Sequence, residues 1–210
     1  AYLKGDSDAI VDYCELVLMN STYHNAFPKD FDINYVPDGR TLIIDYLLPN
    51  PEQLPTLQSV RYVQTRDELV EKELSEREKS TLYDSVLYQI CLRTIHEMFE
   101  ADVIDALEMV TFNGWVNSID LGTGKETSGC ILSLQTTKSE FIDIDLARVE
   151  PKSCFKTLKG IGSSKLHSLA PVAPLANIQR DDARFVPSRN IKENLDDSEN
   201  IAAMDWEDFE

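Results

Sequence analysis

Residues 81–100 (TLYDSVLYQICLRTIHEMFE) restrict the fold more than any other stretch, because apolar side chains recur there at helical spacing over an unusually wide arc. Tyr83, Leu87, Ile90, Cys91 and Met98 share one side of such a helix, while Leu82, Val86 and Ile95 widen it. A narrow stripe faces one neighbour; an arc this wide predicts a helix buried between two layers. The periodicity elsewhere is shorter. Residues 31–36 and 41–48 read as strands on either side of the turn Pro37-Asp38-Gly39-Arg40, which predicts a hairpin. Residues 59–64 read as a third strand, and 106–118 and 128–136 as two more, joined by a polar loop containing Gly122 and Gly124. Residues 8–20 form a helix with Ser7 or Asp6 as cap, 138–145 and 152–158 form short helices, and the charged stretch 66–80 reads as solvated helix. The expected class is α+β: a mainly antiparallel sheet packed on one long helix, with an N-terminal helix and short C-terminal helices.

The punctuation of the chain divides it further. Residues 1–25 hold the N-terminal helix, a candidate end of an upstream coiled coil. Residues 26–186 hold the α+β module, and 187–200 are polar enough for a linker. In 201–210 (IAAMDWEDFE), acidic residues precede and enter a helical turn at about Trp206, where they suit the positive end of the helix dipole. The chain stops within that turn, which, with Ala1 in place of an initiator Met, fits a chain trimmed at both ends.

Charge constrains the partners. The net charge of -17 repels a phosphate backbone, since affinity for duplex comes largely from Lys and Arg displacing counterions. The one basic stretch is 148–165, where Arg148, Lys152, Lys156, Lys159 and Lys165 face Glu150 alone. Any contact with DNA is expected there. Within it, Gly160-Ile161-Gly162 resembles the Gly-hydrophobe-Gly turn of helix-hairpin-helix modules, whose backbone N–H groups hold phosphate without reading sequence. The competing reading is a glycine-rich helix stop, because Pro171 shortens any second helix. The DNA-contact candidates are therefore Lys152, Lys156, Lys159, Gly160, Gly162 and Lys165.

Other motifs reduce to structure. Gly122-Thr123-Gly124-Lys125 lacks the P-loop glycine, where Ile119 stands, and its Ser or Thr, where Glu126 stands. Cys14, Cys91, Cys130 and Cys154 lack the paired spacing of a zinc site and read as buried, reduced thiols. His24, His96 and His167 are isolated from one another and read as structural or surface residues. Phe112 and Trp115 read as core. No apolar run approaches the ~20 residues of a membrane span, and no signal pattern opens the chain. A cytoplasmic protein without membrane contact is expected.

Met204, Trp206, Phe209 and Glu210 match the Met-x-Trp-x-x-Phe-Glu signature that opens the first helix of the nuclease domain in Mrr-like restriction endonucleases. Residues 82–102, 112–127 and 155–175 resemble stretches of the module upstream of such domains. The resemblance covers roughly 30–210. It implies that this chain is the accessory module, for assembly or sensing, of a bacterial defence endonuclease of the PD-(D/E)xK superfamily, with 201–210 the start of a truncated nuclease domain. The parent is implied to cut DNA with Mg²⁺; a homo-oligomer is a candidate assembly. This chain is expected to carry no cofactor and no catalytic residue, Glu210 being a first-helix position with a supporting role at most. A nuclease site needs an acidic residue and a Glu or Gln two residues before a Lys on a strand. Glu150-Pro151-Lys152 places Pro badly for a strand, and Gln135-Thr136-Thr137-Lys138 has the wrong spacing. The alternatives are a self-contained protein-interaction module, or a weak DNA-backbone binder through 152–165.

Overall fold

A five-stranded sheet with one 26-residue helix across its face organises the chain. The computed structural model describes residues 1–120 and 122–178, which form one compact unit. The expected linker 187–200 and the expected domain start 201–210, including Glu210, lie outside the described residues.

Helix α1 (Ser7–Asn20) starts where Asp6 accepts the Ala9 backbone N–H at 3.1 Å, so Asp6 is the cap. It buries Ile10, Cys14 and Leu18. Strands β1 (Phe31–Val36) and β2 (Thr41–Leu47) form the expected hairpin, and Arg40 takes the left-handed conformation (φ 45°) that closes its turn. Strands β3 (Leu57–Val63) and β4 (Glu68–Glu73) pair only with each other, as a separate two-stranded hairpin. This corrects the helical reading of 66–80 over 66–75; residues 76–80 are helical. Asp67 turns left-handed at φ 52°, and the chain returns along β3 as a strand.

Helix α2 (Glu76–Ala101) begins five residues before the expected start at residue 81, because Ser75 and Glu78 form a capping box. The Glu78 carboxylate accepts the Ser75 N–H at 2.9 Å while the Ser75 hydroxyl accepts from Glu78 N. Leu87, Ile90, Cys91, Ile95 and Met98 are buried, joined by Tyr88, Leu92 and Phe99; Leu82 remains at the exposed edge. The helix packs against β5 (Met109–Ile119) on one side and against α1 and α4 (Pro151–Thr157) on others. The expected burial between layers is what the arc delivers.

Beyond α2, β5 and β6 (Glu126–Thr137) form a long antiparallel hairpin with a bulge at Gly114/Trp115. Asp120 closes its loop, accepting from Gly122 N at 2.8 Å and from the Thr123 hydroxyl at 2.9 Å. The Gly-Thr-Gly-Lys string is thus a hairpin loop. A short helix α3 (Lys138–Phe141), α4, and a two-residue strand β7 (Ile161–Gly162) come next. The sheet order is β1-β2-β5-β6-β7. Its β2–β5 pairing is parallel, so the sheet is mixed. A parallel partner needs a long crossover, and the β3–β4 hairpin with α2 supplies it.

Candidate functional site

The two faces of the sheet differ in chemistry. Leu42, Ile44, Tyr46, Val110, Phe112, Leu132 and Leu134 belong to the apolar core with α1 and α2. The alternate residues point the other way, and on that face the cross-strand row Asp32, Asp45, Asn113, Ser133 runs in register over four strands. Asn113 and Ser133 are fully buried. The Asn113 side-chain amide donates to the Asp45 carboxylate at 2.8 Å and to the Ala176 carbonyl at 2.7 Å, while its carbonyl accepts from the Ser133 hydroxyl at 2.7 Å. Ser133 in turn accepts the Leu175 N–H at 3.0 Å, and Val172 donates its N–H to the Cys130 carbonyl at 2.7 Å. Buried polar groups persist only when paired, and here their partner is the strap of chain 172–178 laid over the sheet.

The strap has a second anchor. A single turn at Leu166–Ser168 packs beside α2, with Leu166 fully buried. There Asp84 of α2 accepts from the His167 backbone N–H at 2.8 Å and lies 2.9 Å from His167 Nδ1. His167 of the pair borders a cavity of about 360 Å³ formed by the 51–56 connection, the root of the β3–β4 hairpin at Leu74, and the first turns of α2. Lys79 on its rim is paired with Glu73 and Glu76, each at 3.2 Å, which raises the ammonium pKa, Glu73 first. Tyr83 donates from its floor to the Pro49 carbonyl at 2.9 Å. A carboxylate-oriented imidazole can hold or move a proton. Lys79, Glu76 and Tyr83 around the cavity are already in ion pairs or hydrogen bonds, and the arrangement suits a latch better than a reaction centre.

The basic stretch divides. Glu150 caps α4, accepting from Lys152 N at 3.1 Å and Ser153 N at 2.7 Å; hydrogen bonding from the Ser153 side chain first, and then these backbone bonds, hold its carboxyl below the usual range. Lys152 Nζ donates to the Ser164 carbonyl at 3.0 Å and stands over the Tyr88 ring. The Glu-Pro-Lys string is therefore a helix start. Lys159 ends α4 in the left-handed conformation (φ 61°), and Gly160 admits the Phe155 ring where a Cβ would approach its Cζ to 2.4 Å. Gly162 pairs with Leu132 at the sheet edge. The expected second helix is one 3₁₀ turn. Lys156, Lys159 and Lys165 are exposed to solvent.

All four cysteines are free and buried. Among the described residues no cluster of His, Cys, Asp or Glu gathers to hold a metal ion, and no helix is long and apolar enough to cross a membrane. The Trp115 indole N–H, which has no hydrogen-bond partner among the described residues, is buried on β5. Sequence reasoning missed the Asp84–His167 pair and the Asn113 row, since both depend on residues far apart in the chain. The one local signal was alternation in β5, which set Thr111 and Asn113 between apolar residues. No protein-family model, curated protein or solved structure matches the chain.

Proposed function

We propose that this chain is the accessory module of an Mrr-like restriction endonuclease: a cytoplasmic assembly or sensing unit of a DNA-cutting defence protein, itself without catalytic residues. One observation carries the reading. Of the three stretches that resemble the family, 82–102, 112–127 and 155–175, the first and third are joined by a specific polar pair, and the second meets the strap where it leaves the third. Asp84 of the first grips His167 of the third, while Asn113 of the second donates to Ala176, one residue past the third, and Leu175 donates to Ser133, the cross-strand neighbour of Asn113. Those contacts fix the path of the chain as it approaches residue 178. A module that controls a nuclease domain downstream of it needs a firm grip at that place.

Mg²⁺ chemistry belongs, in this reading, to the segment after residue 210. The described residues offer no acidic cluster for the ion, so no step is assigned to it here. DNA contact by this chain is a subsidiary proposal resting on the exposed Lys156, Lys159 and Lys165. The coding sequence beyond Glu210 tests the whole. A continuing strand pair bearing Gly-Gly-x-Asp and then Gln-x-Lys is expected, and a protein expressed to that length should cut plasmid with Mg²⁺. A stop codon after Glu210 would sink the reading in favour of a self-contained interaction module.

A further inference from the structure

The β3–β4 hairpin stands apart from the rest of the sheet. Every residue of β4 is exposed, β3 is exposed as far as Tyr62, and no third strand among the described residues pairs with either edge. Tyr62 and Leu69 oppose each other across the ladder at 55% and 69% exposure, with Val60 beside them and Val70 on the other face. A lone two-stranded ribbon is marginal in water, and an open edge is a template for another strand.

Backbone alternation dictates what β4 offers. Leu74 donates its N–H to the Thr56 carbonyl, so the even-numbered residues Glu68, Val70 and Lys72 turn their backbone groups toward β3. Leu69 and Glu71 turn theirs outward. A second β4 arriving antiparallel about a two-fold axis must pair odd residues with odd. Centring on Glu71 sets Glu71 against its own copy. Centring on Leu69 sets Asp67 against Glu71 and Arg66 against Lys72. Centres at Glu68 or Lys72 oppose those charges to themselves. Val70 as centre alone sets opposite charges against each other: Glu68 meets Lys72 of the second copy, Lys72 meets its Glu68, Val70 meets Val70, and Leu69 exchanges hydrogen bonds with Glu71; its one like-charge pair, Asp67 against Glu73, lies at the end of the ladder, where Glu73 is already paired with Lys79 and Asp67 accepts from Tyr62.

We propose that β4 pairs with β4 of a second copy of this chain in that register, forming a four-stranded β3-β4-β4-β3 sheet. Opposite charges directly across a ladder stabilise it and like charges oppose it. Lys72, which blunts the edge toward arbitrary strands, thus selects its own kind. Six-residue edges bury less than the ~1,600 Å² of a standard interface, so the dimer is a concentration-dependent equilibrium. The proposal rests on the hairpin alone and stands or falls apart from the endonuclease reading.

Sedimentation equilibrium of the 210-residue chain over a concentration series tests it. A reversible monomer–dimer equilibrium is expected, lost in Lys72→Glu and in Glu68→Lys and restored in the double swap. Glu71→Pro removes only an outward N–H and should give a monomer with an unchanged melting temperature. Val70→Cys should cross-link with itself on mild oxidation, since facing residues of a non-hydrogen-bonded pair lie ~4.5 Å apart between Cα atoms and the native cysteines are all buried. A monomer at every concentration, a dimer indifferent to Lys72→Glu, or a double swap that stays monomeric would overturn the proposal, as would capture of an unrelated strand by a chain that never self-associates.

Discussion

Asp84 and His167 share one carboxylate oxygen: Oδ1 accepts the His167 backbone N–H at 2.8 Å and lies 2.9 Å from its ring Nδ1. The pair joins the middle of α2 to the single turn at Leu166–Ser168, across 83 residues of chain. Asp84→Ala leaves a part-buried amide without its acceptor, at a cost of about 1–3 kcal/mol. Hydrogen exchange should quicken at 165–169 while β5 is unaffected, and Asp84→Asn, which retains an acceptor, should recover most of the protection. Unchanged exchange in Asp84→Ala would show that the turn is held by Leu166 alone.

Ile90 is 3% exposed on the face of α2 that meets the core. Replacing it by Asp buries an unpaired charge among apolar neighbours, a penalty of at least about 4 kcal/mol against a typical total stability of ~5–15 kcal/mol. The variant should be largely unfolded by circular dichroism. A melting temperature equal to that of the parent chain would mean that this face of α2 is not the buried one.

The elements legible in the sequence are those whose signal is local. The arc of α2 and the turn at Pro37-Asp38-Gly39-Arg40 dictate their own conformations, and both appear where expected. β4 was not legible. Its sequence Glu-Leu-Val-Glu-Lys-Glu holds mostly good helix formers, and its strand state comes from pairing with β3, a tertiary effect that overrides propensity. Ser75 with Glu78 was a readable capping box that would have placed the helix start at residue 76. The parallel β2–β5 pairing, the Asn113 row and the Asp84–His167 latch depend on where separate elements meet, and nothing in local spacing encodes them.

Burial pushes the Cys14 thiol up to about 12, with Asp102 and Glu15 adding to it, and the Cys130 thiol up to about 12, with Asp45 adding to it. The ordinary value is 9.0. With the folded value raised, this contribution to stability is fully present below pH 9 and is lost as pH rises toward 12, because only the unfolded chain can release the proton in that window. Urea midpoints should therefore fall between pH 8.5 and pH 10.5 (on the order of two units, chosen to cross that window), and less so in Cys14→Ala. Alkylation at pH 8.5 should label no cysteine until the chain is unfolded.

Lys156 and Lys159 are exposed on or just past α4, and the Gly160–Gly162 backbone beside them is partly used, Gly160 by Phe155 and Gly162 by β6. Attraction to a phosphate backbone competes with a net charge of -17, and it survives only within a Debye length of about 8 Å at physiological salt. Duplex titrated at low salt should bind weakly, and binding should vanish as salt rises. The double variant Lys156→Glu with Lys159→Glu should abolish what binding there is, and plasmid incubated with this chain and Mg²⁺ should stay intact. Tight binding indifferent to those lysines would place the contact elsewhere. Cleavage lost on Glu150→Ala or Lys152→Ala would overturn the reading of this chain as free of catalytic residues.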